Sequence, residues 1–215
     1  MKKNNLLLCG PLMSIVLLAG IAIFPYFVPG YSQVHQTVSE TYEIGSPMQI
    51  PFQIMLGIVA ILALLFAIGI YRVSAARGHG PIGAIFVGVF AITAGGLALY
   101  PFPTPLHNVF GLSELVFYQA AIVIALQWRR DPPASKLVRF SWLCFIAQWI
   151  SLGFNFVIFF RDSHLWHAVH PYYGLLQRSL FVVSCIWSAG AGLLLWKLQA
   201  ATHPTQALPI ASPSR

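Results

Sequence analysis

Charge is what this sequence has least of. Only 8% of its 215 residues are Asp, Glu, Lys or Arg, against about 25% in an ordinary soluble domain. So few charges cannot furnish a water-facing shell, and 58% of the residues are hydrophobic. The pair of numbers excludes a soluble globular protein and points to one domain built for a bilayer. Acidic residues are the rarest charges: Glu40, Glu43, Glu114, Asp131 and Asp162. Cysteine is scarcer still. Cys9, Cys144 and Cys185 each lie inside an apolar run, where cysteine reads as a small buried hydrophobe rather than a disulfide partner or metal ligand. There is no CxxC, no HExxH, no phosphate loop, no dinucleotide fingerprint and no Ser-His-acid spacing. The net charge of +7 comes without the aromatic-basic interleaving of a nucleic-acid groove, so no nucleic-acid partner is expected.

Long apolar runs are what the sequence does have. Six of them, at about 6–29, 50–71, 82–101, 109–128, 140–160 and 175–197, reach across about 30 Å of hydrocarbon as helices. Lys2 and Lys3 before the first run resemble a signal peptide, but no small-x-small site precedes Pro25, so that run is read as a helix. The expected fold is all-α: a polytopic membrane protein, a bundle of six transmembrane helices over residues 1–200. A tail at 201–215, rich in Pro, Ser, Thr and Ala, is expected to be disordered. Gly83, Gly88, Gly95, Gly96, Gly190 and Gly192 offer places for close helix approach.

The basic residues set an orientation. Lys2, Lys3, Arg72, Arg77, Arg129, Arg130, Lys136, Arg139, Lys197 and Arg215 flank alternate ends of the runs, and only Arg161 and Arg178 lie at the opposite ends. By the positive-inside rule the N-terminus and C-terminus are cytoplasmic, and the expected location is the plasma or inner membrane. The outer segments are then 30–49, 102–108 and 161–174.

Carboxylates and imidazoles gather on that outer side. All the acidic residues except Asp131 fall there, with His35, His107, His164, His167 and His170. The stretch RDSHLWHAVHPYYGLLQR at 161–178 is the most polar part of the chain. Glu114 and Arg178 lie a turn inside their helices. Ionisable groups there are costly unless they pair or face a cavity, so an ion pair between these two is one expectation. Snorkelling of Arg178 and helix capping by Glu114 is the other. His164 and His167 would share a helix face, whereas His170 would turn away; in a loop they can converge with His107 and Asp162 on zinc. Proton handling and a plain interfacial loop with an aromatic belt of Trp166, Tyr172 and Tyr173 are further readings. Asn155 and Gln177, near the outer ends of their helices, are placed to line a pocket.

Three short signatures resemble a known family. Ser39-Glu40 runs to Gly45 ahead of the second helix, His107-Asn108-Val109-Phe110-Gly111 opens the fourth, and Gly174-Leu175-Leu176-Gln177-Arg178 opens the sixth. In that order they resemble the prokaryotic six-helix membrane proteins grouped as domain of unknown function nine-nine-eight. The likeness covers about residues 5–198. It implies the six-helix topology and singles out Ser39, Glu40, His107 and Arg178, without naming a reaction. A second likeness, of residue types alone, is to the seven-helix membrane hydrolases that include ceramidases, through Ser39, Asp162, His107 and the late histidines.

Three functions follow as expectations. One is an outer-face pocket, drawing on Glu114, Arg178, His107, Ser39 and Glu40, that binds a membrane lipid, another amphiphile or a protein partner without a cofactor. The second is a zinc-dependent membrane hydrolase with His107, His164, His167 and Asp162 as ligands. The third is a small transporter, although the inner halves of the helices hold almost no ionisable residues to form a path.

Overall fold

The structure is a computed structural model that describes residues 4–201. Within them, six helical segments are long and apolar enough to cross a membrane: Asn5–Phe27, Gln49–Ala76, Ile82–Leu99, Pro105–Trp128, Pro132–Phe160 and His164–Gln199. The α-helices are α1 (Cys9–Ile23), α2 (Gln49–Ala76), α3 (Ile82–Leu99), α4 (Pro105–Phe117), α5 (Ala120–Trp128), α6 (Ser135–Asn155), α7 (His164–Val169) and α8 (Tyr173–Ala201). Helices form because a chain in hydrocarbon must satisfy every backbone donor and acceptor within itself. Several extend beyond the apolar runs that announce them, by as much as five residues at the end of α2. Polar side chains are tolerated once a helix enters the headgroup layer, so hydropathy trims helix ends. Lys2, Lys3 and the expected tail, Ala201 excepted, lie outside the described residues.

Punctuation follows the side chains. α1 stops just before Pro25, and a 3-10 turn (Phe24–Phe27) takes over. α4 starts with Pro105 in its first turn, where a missing N–H costs nothing. The fourth run is one apolar stretch in sequence but two helices in space, and no proline separates them. The break lies at Tyr118 and Gln119. The Gln119 side chain donates to the carbonyl of Leu115 at 3.1 Å, and its backbone N–H turns to Val116 instead. A side chain inserted into the helical ladder is a recognised cause of a kink.

The spans close into a ring. α1 packs on α2 and α8, α2 on α3, α3 on α4 and α5, α5 on α6, and α6 on α8. α4 leans on α3, so the ring is tight at the level of α5 and looser beside α4. At one end, segments 28–48, 101–104 and 161–172 meet: the N–H of Ile44 donates to Phe102, and His35 Nδ1 meets the Pro171 carbonyl. We call this the polar-loop end.

The opposite, basic end is tied by charge. Arg77 Nη1 donates to Asp131 Oδ2 at 2.7 Å, and His79, its ring tilted against that of Trp128, lies 3.6 Å from the same oxygen. Both acid and guanidinium are mostly buried, with side-chain exposures of 13% and 16%. Asp131→Asn is therefore expected to lower unfolding free energy by about 1.5–3 kcal/mol, the range for a hydrogen bond to a charged group. Denaturation in mixed micelles measures it, and an unchanged midpoint would mean that the two connectors are held by packing alone.

Candidate functional site

The looser half of the ring encloses a cavity of about 550 Å³ that opens at the polar-loop end. Its walls are apolar, with Leu17 and Ile21 of α1, Phe52 and Leu56 of α2, Phe90 and Leu97 of α3, and Leu180 and Phe181 of α8. One side is formed by Asn108, Gly111, Leu112 and Leu115 of α4, facing Leu152, Asn155, Phe156 and Phe159. Leu112 and Phe159 line the cavity yet are 59% and 68% exposed. The cavity is therefore open to the outside of the bundle between α4 and the end of α6.

Its polar atoms are few and placed at different depths. Glu114 and Tyr118, a helical turn apart on the same face, form the floor, where the tyrosine hydroxyl donates to Glu114 Oε2 at 2.7 Å. Midway stand Ser39, Tyr42 and His107. Arg161 and Tyr173 line the mouth, and the Arg161 guanidinium sits 5.9 Å from the Trp166 ring centre. Burial pushes the Tyr42 hydroxyl well above the usual tyrosine range, and the nearby Glu114 carboxyl adds to the rise. Tyr42 therefore stays a hydrogen-bond donor.

The middle group is bonded together. His107 Nδ1 lies 3.0 Å from the carbonyl of Tyr100, and Nε2 lies 2.9 Å from Ser39 Oγ. A carbonyl can only accept, so Nδ1 carries the proton, and in the neutral ring Nε2 accepts from the serine hydroxyl. The segment around Ser39 is fixed from both sides. Glu40 Oε2 accepts from both the N–H and the hydroxyl of Thr37 at 2.6 Å, closing a capping box on the 3-10 turn Val38–Tyr42. Gln177 Oε1 accepts from the Val38 N–H at 2.7 Å.

Of the expected pocket residues, Ser39, His107 and Glu114 line the cavity, whereas Glu40 and Arg178 do not. The expected Glu114–Arg178 ion pair is not formed. Arg178 Nη1 donates to the carbonyls of Gln33, Gln36 and Gly174 at 3.0, 2.8 and 3.0 Å, and Nη2 to the Tyr31 hydroxyl at 2.7 Å. The 31–37 loop offers carbonyls without ladder partners, and the planar fork of arginine reaches several at once. That cage outcompetes a single distant carboxylate. The four expected zinc ligands do not converge either. His107 is buried against the cavity, while Asp162, His164 and His167 are exposed on and beside α7. Among the described residues no three His, Cys, Asp or Glu side chains come together. α7 forms because Ser163 accepts from the Trp166 N–H at its start; it holds His164 and His167 on the exposed surface, while His107 is buried in the bundle, so the set does not close around an ion.

Tyr42 gives no signal in the sequence, since tyrosines near membrane interfaces are common. The spacing of Glu114 and Tyr118 at i and i+4 is the one clue that places them on a shared face.

Fold and cavity together define a six-span helical membrane protein with an amphipathic cavity between its spans. A family model described as Protein of unknown function (DUF998) matches residues 11–194, and the chain belongs to that family. No curated protein and no solved structure matches the chain.

Proposed function

We propose that this multi-pass protein binds a single-headed or small lipid-like amphiphile in its cavity, taken from the outer leaflet of the plasma or inner membrane. The orientation follows from the basic-residue bias, which puts the polar-loop end outside. The observation that carries the reading is the cavity's make-up. It has long apolar walls, a lateral opening beside Leu112 and Phe159, and polar groups spaced from floor to mouth. Its volume lies within the 300–1,000 Å³ typical of small-molecule sites. An acyl chain satisfies the walls, and Arg161 at the mouth favours an anionic or strongly hydrogen-bonding head. Two further voids beside Tyr118 hold only about 10 Å³ each, which favours a bound ligand over a solute moving through.

Native mass spectrometry of the detergent-purified protein tests this. Wild type is expected to carry a co-purifying amphiphile. Ala94→Trp puts an indole into the cavity from a wall position that is 1% exposed and is expected to reduce occupancy at least about 10-fold, equivalent to 1.4 kcal/mol. Equal occupancy in a well-folded Ala94→Trp variant would place the lipid elsewhere.

A further inference from the structure

We propose that the cavity is also a catalytic site for acyl transfer from an ester-bearing amphiphile, with Ser39 as nucleophile and His107 as general base. This rests on the amphiphile-binding reading above. The arrangement has the three parts such chemistry needs. The nucleophile and base are in contact, Ser39 Oγ to His107 Nε2 at 2.9 Å. The base is oriented by a third group, the Tyr100 carbonyl, which holds the proton on Nδ1 and leaves Nε2 to take one. Both side chains line a cavity shaped for an acyl chain, His107 almost fully buried and Ser39 half-buried. A serine that merely filled space would not need its hydroxyl at the one nitrogen able to deprotonate it.

Donors for the developing oxyanion stand alongside. The Gln177 carboxamide is anchored through its oxygen to the Val38 N–H, one residue from Ser39, and Gln177 itself lines the cavity, so its NH2 group is the donor assigned to the oxyanion in this proposal. The Tyr42 hydroxyl belongs to the same cavity lining as Ser39 and His107, and burial keeps it protonated. Donors fixed before the reaction are worth far more in a water-poor site than in solution.

The step balances without a cofactor. Ser39 Oγ attacks the ester carbonyl carbon as its proton passes to His107 Nε2. The carbonyl electron pair moves onto oxygen, facing Gln177 and Tyr42. On collapse the bond from carbon to the alcohol oxygen breaks, and Nε2 returns the proton to the departing alcohol. Water or a second alcohol, deprotonated by the same nitrogen, then attacks the acyl carbon; the bond from that carbon to Ser39 Oγ breaks, Nε2 returns the proton to Oγ, and the acid or new ester leaves.

The test is covalent labelling of the full-length protein in nanodiscs by a long-chain alkyl fluorophosphonate. Such a probe bonds phosphorus to a base-activated serine and expels fluoride. We expect one adduct per chain, on Ser39 by peptide mass spectrometry, absent in Ser39→Ala. In His107→Gln the labelling rate is expected to fall at least about 100-fold, the lower range for loss of a general base. A readout on unmodified protein guards against misfolded variants: the wild-type rate should rise with pH as the imidazole loses its second proton, then level off. A flat profile, an adduct on another residue, or undiminished labelling in a folded His107→Gln overturns the proposal. No labelling of a protein that still carries its amphiphile overturns catalysis and spares the binding reading. No labelling together with no amphiphile overturns both.

Discussion

Arg178→Met is expected to lower the unfolding free energy by about 3 kcal/mol or more, the sum of at least two charge-assisted hydrogen bonds at 1.5–3 kcal/mol each. Methionine preserves the apolar stem and removes the fork, so the loss isolates the guanidinium. The carbonyls of Gln33, Gln36 and Gly174 then lose their shared donor at a site where Arg178 is only 8% exposed. Arg178→Lys should recover part of the loss, because an ammonium supplies charge without the planar spread. Gly174 gives an independent check on the same seat. A Cβ there would lie 2.4 Å from the Gln36 carbonyl oxygen and 2.6 Å from that of Gln33, both backbone atoms that cannot swing aside. Gly174→Ala should therefore damage the same contact between the 31–37 loop and the start of α8. Chemical unfolding in mixed micelles measures both. If Arg178→Met shifts the midpoint no more than a surface change would, water serves those carbonyls as well as arginine does.

The same residues show how far the sequence could be read. Six spans follow from apolar runs because hydrocarbon admits only self-satisfied backbone, and that rule acts locally. The polar layer was legible for a related reason. With so few charges in the chain, each intramembrane one stands out, which is why Glu114 and Arg178 were visible as special positions. Their partners were not visible. Arg178 is satisfied by backbone carbonyls, and a backbone carbonyl is present at every residue, so composition cannot single it out. Glu114 is satisfied by a tyrosine four residues on. Ser39 and His107 are 68 positions apart, and only the closing of the ring brings them together. The late histidines misled for the opposite reason. Their density in sequence points to convergence, but Ser163 caps α7 and the helix carries them on the exposed surface, away from the buried His107.

Gly192→Val is expected to be the second severe change, and it links packing to the cavity. α1 and α8 touch backbone to backbone near the basic end. A Cβ at Gly192 would meet the Leu7 carbonyl oxygen at 2.6 Å, and one at Gly10 would meet that of Ser188 at 2.7 Å. Ser14 bridges the same pair of helices, donating to the Cys185 carbonyl at 2.9 Å. Without a hydrophobic drive between helices in lipid, such close approach of small residues is what holds them. From that pinch the two helices run toward the polar-loop end as neighbouring walls of the cavity, Leu17 and Ile21 on one, Leu180 and Phe181 on the other. A β-branched side chain at Gly192 would push first against the Leu7 carbonyl and then the Pro11 ring, whose Cδ lies 2.9 Å from the Cβ; neither can swing aside, so the N-terminal segment must move with α1. The expected cost is about 3 kcal/mol or more, beyond the 1–3 kcal/mol usual for overpacking a yielding core, with loss of the bound amphiphile. Gly20→Ala is the control. Its Cβ would collide with the Met55 sulfur at 1.9 Å, a closer contact on paper, but a thioether on a flexible chain can move away. Unfolding midpoints should rank Gly192→Val far below Gly20→Ala. The reverse order would mean that α1 yields more readily than Met55, and that the cavity's width is not set at this crossing.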